Sequence, residues 1–265
     1  MSTFLYGANV QANGIRQHYL RYGGKGPALI LIPGITSPAI TWGFVAERLG
    51  AQFDTYVLDV RGRGLSSTGP ELDYSADTCA EDIGAFADAL NLDSYHLMGH
   101  SMGARFAVRS AVKHPEGVKR VVLIDPPVSG PGRREYPSKL PWYVDSIRQS
   151  LVGMDAEAMR AFCATWTPAQ LQLRAEWLHT CYEPAIVRAF NDFHAVDFHH
   201  DLPHLKAPAL LMVAGRGGVI LDEDIAEIQD LQPGIQVARV PNAGHMIPWD
   251  DLDGFFLALG DFLEQ

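Results

Sequence analysis

The strongest constraint on the fold is a succession of short aliphatic runs, each cut off by glycine, proline or aspartate and followed by a stretch of helical periodicity. "PALILIPG" (27–34), "FDTYVLDV" (53–60), "SYHLMG" (94–99), "VKRVVLID" (118–125) and "APALLMVAGR" (207–216) are apolar without alternation, as expected of strands covered on both faces. Between them, "TWGFVAERLG" reads as a short helix closing at Gly50. "SADTCAEDIGAFADALNL" reads as a helix capped by Ser75, with Ile83, Phe86 and Leu90 on one face, and "SMGARFAVRSAVKH" as a helix stopped by Pro115. Strands alternating with helices predict a mostly parallel, doubly wound α/β sheet. Ahead of the first run, Asn13-Gly14 marks a β-hairpin.

The alternation breaks once. From Val128 to Phe198 no aliphatic strand occurs, and the segment reads as several amphipathic helices. It resumes with a helix near "DEDIAEIQDL", a strand in "IQVARVPNAG" and a closing helix over "DGFFLALGDFLEQ". The expected organisation is a core of residues 1–127 and 199–265 interrupted by a helical cap at 128–198. With 265 residues, 47% of them hydrophobic, such a core folds without metal or disulfide staples.

Composition narrows the partners. A formal charge of −10 with no basic cluster argues against nucleic acid. No apolar stretch approaches the roughly 18–20 residues of a membrane span, and the N-terminus lacks the pattern of a signal peptide. Cys79, Cys163 and Cys181 are odd in number and widely spaced, suggesting neither a disulfide framework nor a zinc site and fitting a reducing cytoplasm. The oligomeric state is left open.

Within this frame, Gly99-His100-Ser101-Met102-Gly103 falls between a predicted buried strand and a predicted helix. Flanking glycines permit a tight, strained turn there, lifting the Ser101 hydroxyl above the carboxyl ends of the strands at a helix N-terminus. A serine hydroxyl needs a base to take its proton as it attacks. Of ten histidines, His245 in "VPNAGHMIPWD" stands at the end of the last predicted strand. A carboxylate must then hold the imidazole tautomer. Asp125, after four aliphatics and before two prolines, is costly to bury without a partner. Asp222 and Asp224 are the rivals, although "LDEDIAEI" reads more simply as an acidic helix start. For an oxyanion, the expected donors are the backbone amides of Met102 and of Ile35 in "IPGITS", with Gly34 allowing close approach and Thr36 and Ser37 as candidate substrate contacts.

Together "LIPG", "DVRGRGLSS", "GHSMG", "NAGH" and the helical insertion resemble the α/β-hydrolase superfamily across nearly the whole chain. The resemblance implies a Ser-Asp-His order, a structural role for Arg61 and no metal or organic cofactor. Two positions depart from the pattern: Pro33 stands where many members carry His, and Gly218 about where many carry the acid. The second departure supports Asp125, one strand earlier. "YLRYGGKG" and "IPGITSPAITWGFVAERLG" further resemble a deformylase branch, which implies cleavage of a small, anionic acyl C–N substrate. A carboxylesterase or a C–C bond hydrolase of ring-fission products would use the same serine, and a ligand receptor the same fold.

Other groups read more plainly. His194, His199, His200 and His204, with Asp197 and Asp201, crowd the return from cap to core, but Pro203 breaks the spacing a helical metal pair needs. Trp142, Tyr143, Trp166, Trp177 and Phe190 read as cap packing, one or two of them facing substrate. Arg133, Arg134, Arg148, Arg174 and Arg188 are the candidate cations for an anionic substrate.

Overall fold

In the computed structural model, which describes residues 1–264, eight strands form one sheet in the order β1-β2-β4-β3-β5-β6-β7-β8. The hairpin β1 (Phe4–Ala12) and β2 (Ile15–Tyr22) turns at Asn13 and Gly14, both at positive φ (46° and 73°), as a primed turn requires. β2 runs antiparallel to both β1 and β4, and β3 to β8 are mutually parallel.

The parallel strands are β3 (Ala28–Ile32), β4 (Asp54–Leu58), β5 (Tyr95–His100), β6 (Val118–Ile124), β7 (Ala209–Ala214) and β8 (Gln236–Val240). In β3, Leu29 and Leu31 enter one apolar layer and Ile30 and Ile32 the other, all fully buried. That two-sided burial is why the strand carries no polar residue. One layer is closed by α2 (Ala76–Ala89) and α3 (Met102–Lys113) through residues such as Ile83, Phe86 and Phe106. The other is closed by α1 (Gly43–Leu49) and a C-terminal helix, Leu252–Leu259, through Val45, Leu49, Phe255 and Leu259. Ser75 caps α2 by accepting from the Thr78 amide, and α3 ends at Lys113, two residues before Pro115.

Between β6 and β7 the chain forms α4 (Leu140–Leu151), α5 (Ala156–Met159), α6 (Pro168–Trp177) and α7 (Glu183–Ala195), with no strand among them. After β7 come α8 (Asp222–Leu231), β8, α9 (Ile247–Asp250) and α10, the Leu252–Leu259 helix already named. The expected closing helix over "DGFFLALGDFLEQ" is thus shorter than its apolar pattern suggests. It stops at Leu259 because Gly260 turns to φ +52°, and Gln265 lies outside the described residues. No helix among the described residues is long and apolar enough to cross a membrane.

Register places the strand ends that matter side by side. Ile32 pairs with Gly99, His100 with Ile124, and Ile124 with Met212. The residues that follow β3, β5, β6 and β8 therefore share one edge of the sheet, the edge at which open α/β sheets place their ligands.

Candidate active site

Ser101 sits between β5 and α3 with φ 54° and ψ −119°, a conformation that costs a non-glycine residue on the order of 1–3 kcal/mol. Three backbone bonds hold it: its amide donates to the Ile124 carbonyl at 2.8 Å, and its carbonyl accepts from the Ala104 and Arg105 amides at 3.0 and 3.4 Å. The flanking glycines are there because of close approach. A Cβ on Gly99 would overlap the Gly103 carbonyl oxygen, and one on Gly103 would overlap the Ile32 carbonyl oxygen. Neither neighbour is a side chain that can swing away, so Gly103→Ala is expected to lose about 2–4 kcal/mol. Thermal unfolding should show this as a Tm lower by roughly 5–15 °C; an unchanged Tm would contradict the packing argument.

His245, on the loop after β8, brings Nε2 to 3.0 Å from Ser101 Oγ and Nδ1 to 2.7 Å from Asp125 Oδ2. Asp125 is 1% exposed and follows β6 at φ 46°, a left-handed conformation that aspartate tolerates better than most residues. Its Oδ1 accepts from the Ala214 amide at 3.2 Å, so both carboxylate oxygens are engaged. The ionised carboxylate can only accept, hence Nδ1 of His245 carries hydrogen and Nε2 presents its lone pair to Ser101. The rival acids lie elsewhere. Asp222 pairs with Arg239, and Asp224 pairs with Arg134 and accepts from the Leu221 amide.

The loop after β3 supplies the facing wall. The Gly34 carbonyl accepts from the Ser37 amide at 3.2 Å, and a trans peptide points its N–H opposite to its carbonyl, so the Ile35 N–H is turned to the other side. In the same way the Ser101 carbonyl is drawn into α3, which leaves the Met102 N–H facing outward as one of the first-turn donors of that helix. Gly34, Ile35, Thr36 and Ser37 line a cavity of about 480 Å³ together with Ser101 and His245.

Several residues that frame the site were not anticipated. Arg63, 1% exposed, donates from Nε to the Ile35 carbonyl at 3.0 Å and from Nη1 to the Arg61 carbonyl at 2.8 Å. Its Nη2 reaches Met102 Sδ at 3.3 Å, so one guanidinium braces both Ile35 and Met102. Arg61 is structural as expected, paired with Asp82 at 2.5 Å and donating to the Asp73 carbonyl. His100 donates from Nε2 to the His245 carbonyl at 3.0 Å, and its ring lies 4.9 Å from that of His245. Burial, reinforced by His245, pushes His100 down to about 3, so it stays neutral and holds its neighbour's backbone at any working pH. Tyr136 places its hydroxyl 3.2 Å from His245 Nε2. No signal in "RREYPSKL" marks that tyrosine.

Of the aromatics between β6 and β7, Trp142, Tyr143 and Trp166 line the cavity, as does Phe162. Of the candidate cations, Arg133, Arg134, Arg148 and Arg188 are tied to Glu227, Asp224, Glu183 and Asp192. Arg174 alone among these five lines the cavity. It donates to the Thr36 carbonyl and Oγ1, each at 3.1 Å, and lies over Trp142 and Trp166 at 5.5 and 5.8 Å from the ring centres. Burial pushes Cys79 and Cys181 up to about 12 and also raises Cys163, the thiol in the cavity lining, so each is held in its less nucleophilic protonated form. His199, buried, and the histidines near it form no metal-ligand group among the described residues.

Comparison with known proteins agrees with this architecture. Residues 27–252 match the family model of the alpha/beta hydrolase fold. Over all 265 residues the chain is 76% identical to 99% of the N-formylmaleamate deformylase of Pseudomonas putida strain KT2440. The crystal structure of an N-formylmaleamic acid deformylase from another Pseudomonas putida strain superposes with a TM-score of 0.93 at 54% identity, covering 96% of this chain and 100% of that one. An E-2-(acetamidomethylene)succinate hydrolase shares the fold at a TM-score of 0.80 and 24% identity, over 99% of this chain and 100% of its own. The strand order, the strained serine turn and a family match over most of its length establish that the chain belongs to the α/β-hydrolase fold family.

Proposed function

We propose that the chain is a serine hydrolase that cleaves N-formylmaleamate to maleamate and formate. The observation that carries this reading is the full-length likeness to N-formylmaleamate deformylase, which extends through the cap segment lining the cavity as well as the core. In this reading Ser101 is the nucleophile, His245 the base and Asp125 its orienting acid, with the Ile35 and Met102 amides as oxyanion donors. Residues 128–198 act as a cap, and Gly34, Thr36 and Ser37 form the substrate wall.

The chemistry suits such a triad. The nitrogen of an N-formyl amide that carries a second acyl group is the nitrogen of an imide, and its electron pair is delocalised over that acyl group. It leaves more readily than an ordinary amide nitrogen. Ser101 Oγ adds to the formyl carbon as its proton passes to His245 Nε2. Collapse of the tetrahedral intermediate breaks the C–N bond, and His245 returns the proton to nitrogen. Water then attacks the formyl ester through the same base and releases formate. No metal or organic cofactor enters these steps. Three reduced thiols, all buried, suit the cytoplasmic location we assign to this reaction.

The substrate is anionic, and Arg174 is the cavity-lining cation with no carboxylate partner among the described residues. Arg174→Leu is expected to raise KM for N-formylmaleamate about 10- to 100-fold, the value of one charge-assisted bond. Arg174→Lys should recover part of the loss. Steady-state kinetics check this, and an unchanged KM would remove Arg174 from the substrate contacts. The reading as a whole is tested by formate release from N-formylmaleamate, measured beside simple esters and ring-fission diketones. Much faster turnover of an ester would make the chain an esterase, and binding without turnover would make it a receptor.

A further inference from the structure

Tyr136 stands in the substrate cavity and is 4% exposed. Its amide donates to His194 Nε2 at 3.4 Å, and its ring packs against Phe193 and Phe190, with centroids 5.1 and 6.3 Å away. These contacts aim the hydroxyl at His245 Nε2, 3.2 Å distant, the atom that Ser101 Oγ already approaches at 3.0 Å. An imidazole nitrogen has one lone pair, so two hydroxyls share a single acceptor. The other polar neighbours of Tyr136 are the Tyr143 hydroxyl and the Ser101 side chain, which His245 Nε2 already engages. In the resting site, then, the Tyr136 proton has only uncharged and partly used acceptors. Burial keeps this phenol well above its ordinary pKa, so it remains an O–H donor throughout the working pH range.

The position identifies what the donor meets. His245 Nε2 must deliver its proton to the leaving nitrogen, so that nitrogen arrives within hydrogen-bond reach of Nε2. A group 3.2 Å from the same atom therefore borders the leaving group. Resting on the deformylase reading, we propose that Tyr136 is a further catalytic residue whose hydroxyl donates a hydrogen bond to the acyl oxygen of the leaving amide. As the C–N bond breaks, its electron pair moves onto nitrogen and is delocalised onto that oxygen, where Tyr136 stabilises it. His245 protonates the nitrogen, and Tyr136 keeps its own proton. The bond strengthens with the developing charge, and an interaction that strengthens in the transition state accelerates the reaction.

The test compares wild type with Tyr136→Phe on two formyl donors. N-formylmaleamate has an acyl oxygen on its leaving group; 4-nitrophenyl formate delivers the same formyl group to Ser101 from a phenolate without one. Removing one such donor is expected to lower kcat/KM on N-formylmaleamate about 100-fold, with less than about a threefold change on the aryl formate and in the rate of labelling by a fluorophosphonate. An equal loss on both formyl donors would assign Tyr136 to positioning His245 and overturn the proposal, as would no loss on N-formylmaleamate. Wild type that releases no formate from N-formylmaleamate would overturn the deformylase reading and this inference with it. Wild-type activity undiminished by Tyr136→Phe would overturn this inference alone.

Discussion

Ser101→Ala is expected to lower kcat by about 10⁴- to 10⁶-fold and to abolish labelling by a fluorophosphonate. The magnitude follows from how a triad works, since without the nucleophile only binding and the oxyanion donors are left to accelerate water attack. Ser101 is 2% exposed and already held at φ 54°, and alanine takes the place of a small side chain there, so the fold should survive. Wild type and variant labelled at equal rates would show that another group is the nucleophile. The serine turn would then be an inherited shape without chemistry.

Asp125→Asn is the second large effect, about 10⁴-fold in kcat, and its origin is tautomeric. Asp125 Oδ2 can only accept, which fixes hydrogen on His245 Nδ1 at 2.7 Å and leaves Nε2 free to take the Ser101 proton. An asparagine amide turned toward Nδ1 would donate instead, moving the hydrogen to Nε2 and disabling the base. Oδ1 adds a constraint, because it accepts from the Ala214 amide and so resists rotation of the carboxylate. Asp222→Asn and Asp224→Asn should stay within about threefold of wild type, since their side chains pair with Arg239 and Arg134 rather than with His245. Kinetics on the three variants decide the matter; a loss at Asp222 or Asp224 with none at Asp125 would move the acid one strand along.

The helical segment between β6 and β7 shows how far local pattern reaches. Its helices were legible, but the roles of their side chains were not. Five arginines in and beside it look alike in the sequence. The folded chain separates them by pairing four with carboxylates and turning Arg174 onto Thr36 between two tryptophans. Trp142, Tyr143 and Trp166 likewise satisfy a packing pattern while lining the cavity. Arg63 is not distinguished from Arg61 by any local pattern within "DVRGRGLSS". Its function depends on reaching Ile35 and Met102, 28 and 39 residues away in sequence.

The alternation of apolar runs with helical periodicity determined the sheet, its parallel direction and the interruption between β6 and β7, because burial on two faces leaves a strand no polar positions. It also determined the serine turn, since Gly99 and Gly103 are local requirements of backbone approach. Ser101, Asp125 and His245 could be chosen as partners because each ends or follows a strand, and strand ends in a parallel sheet converge on one edge. What only the tertiary structure decided is everything set by contact between distant segments. The placing of Tyr136 against His245, of His100 beneath it, of Arg63 behind the two amides and of Arg174 in the cavity wall has no periodicity to announce it. Periodicity records which face of an element is dry, whereas a hydrogen bond across more than a hundred residues depends on where two elements meet.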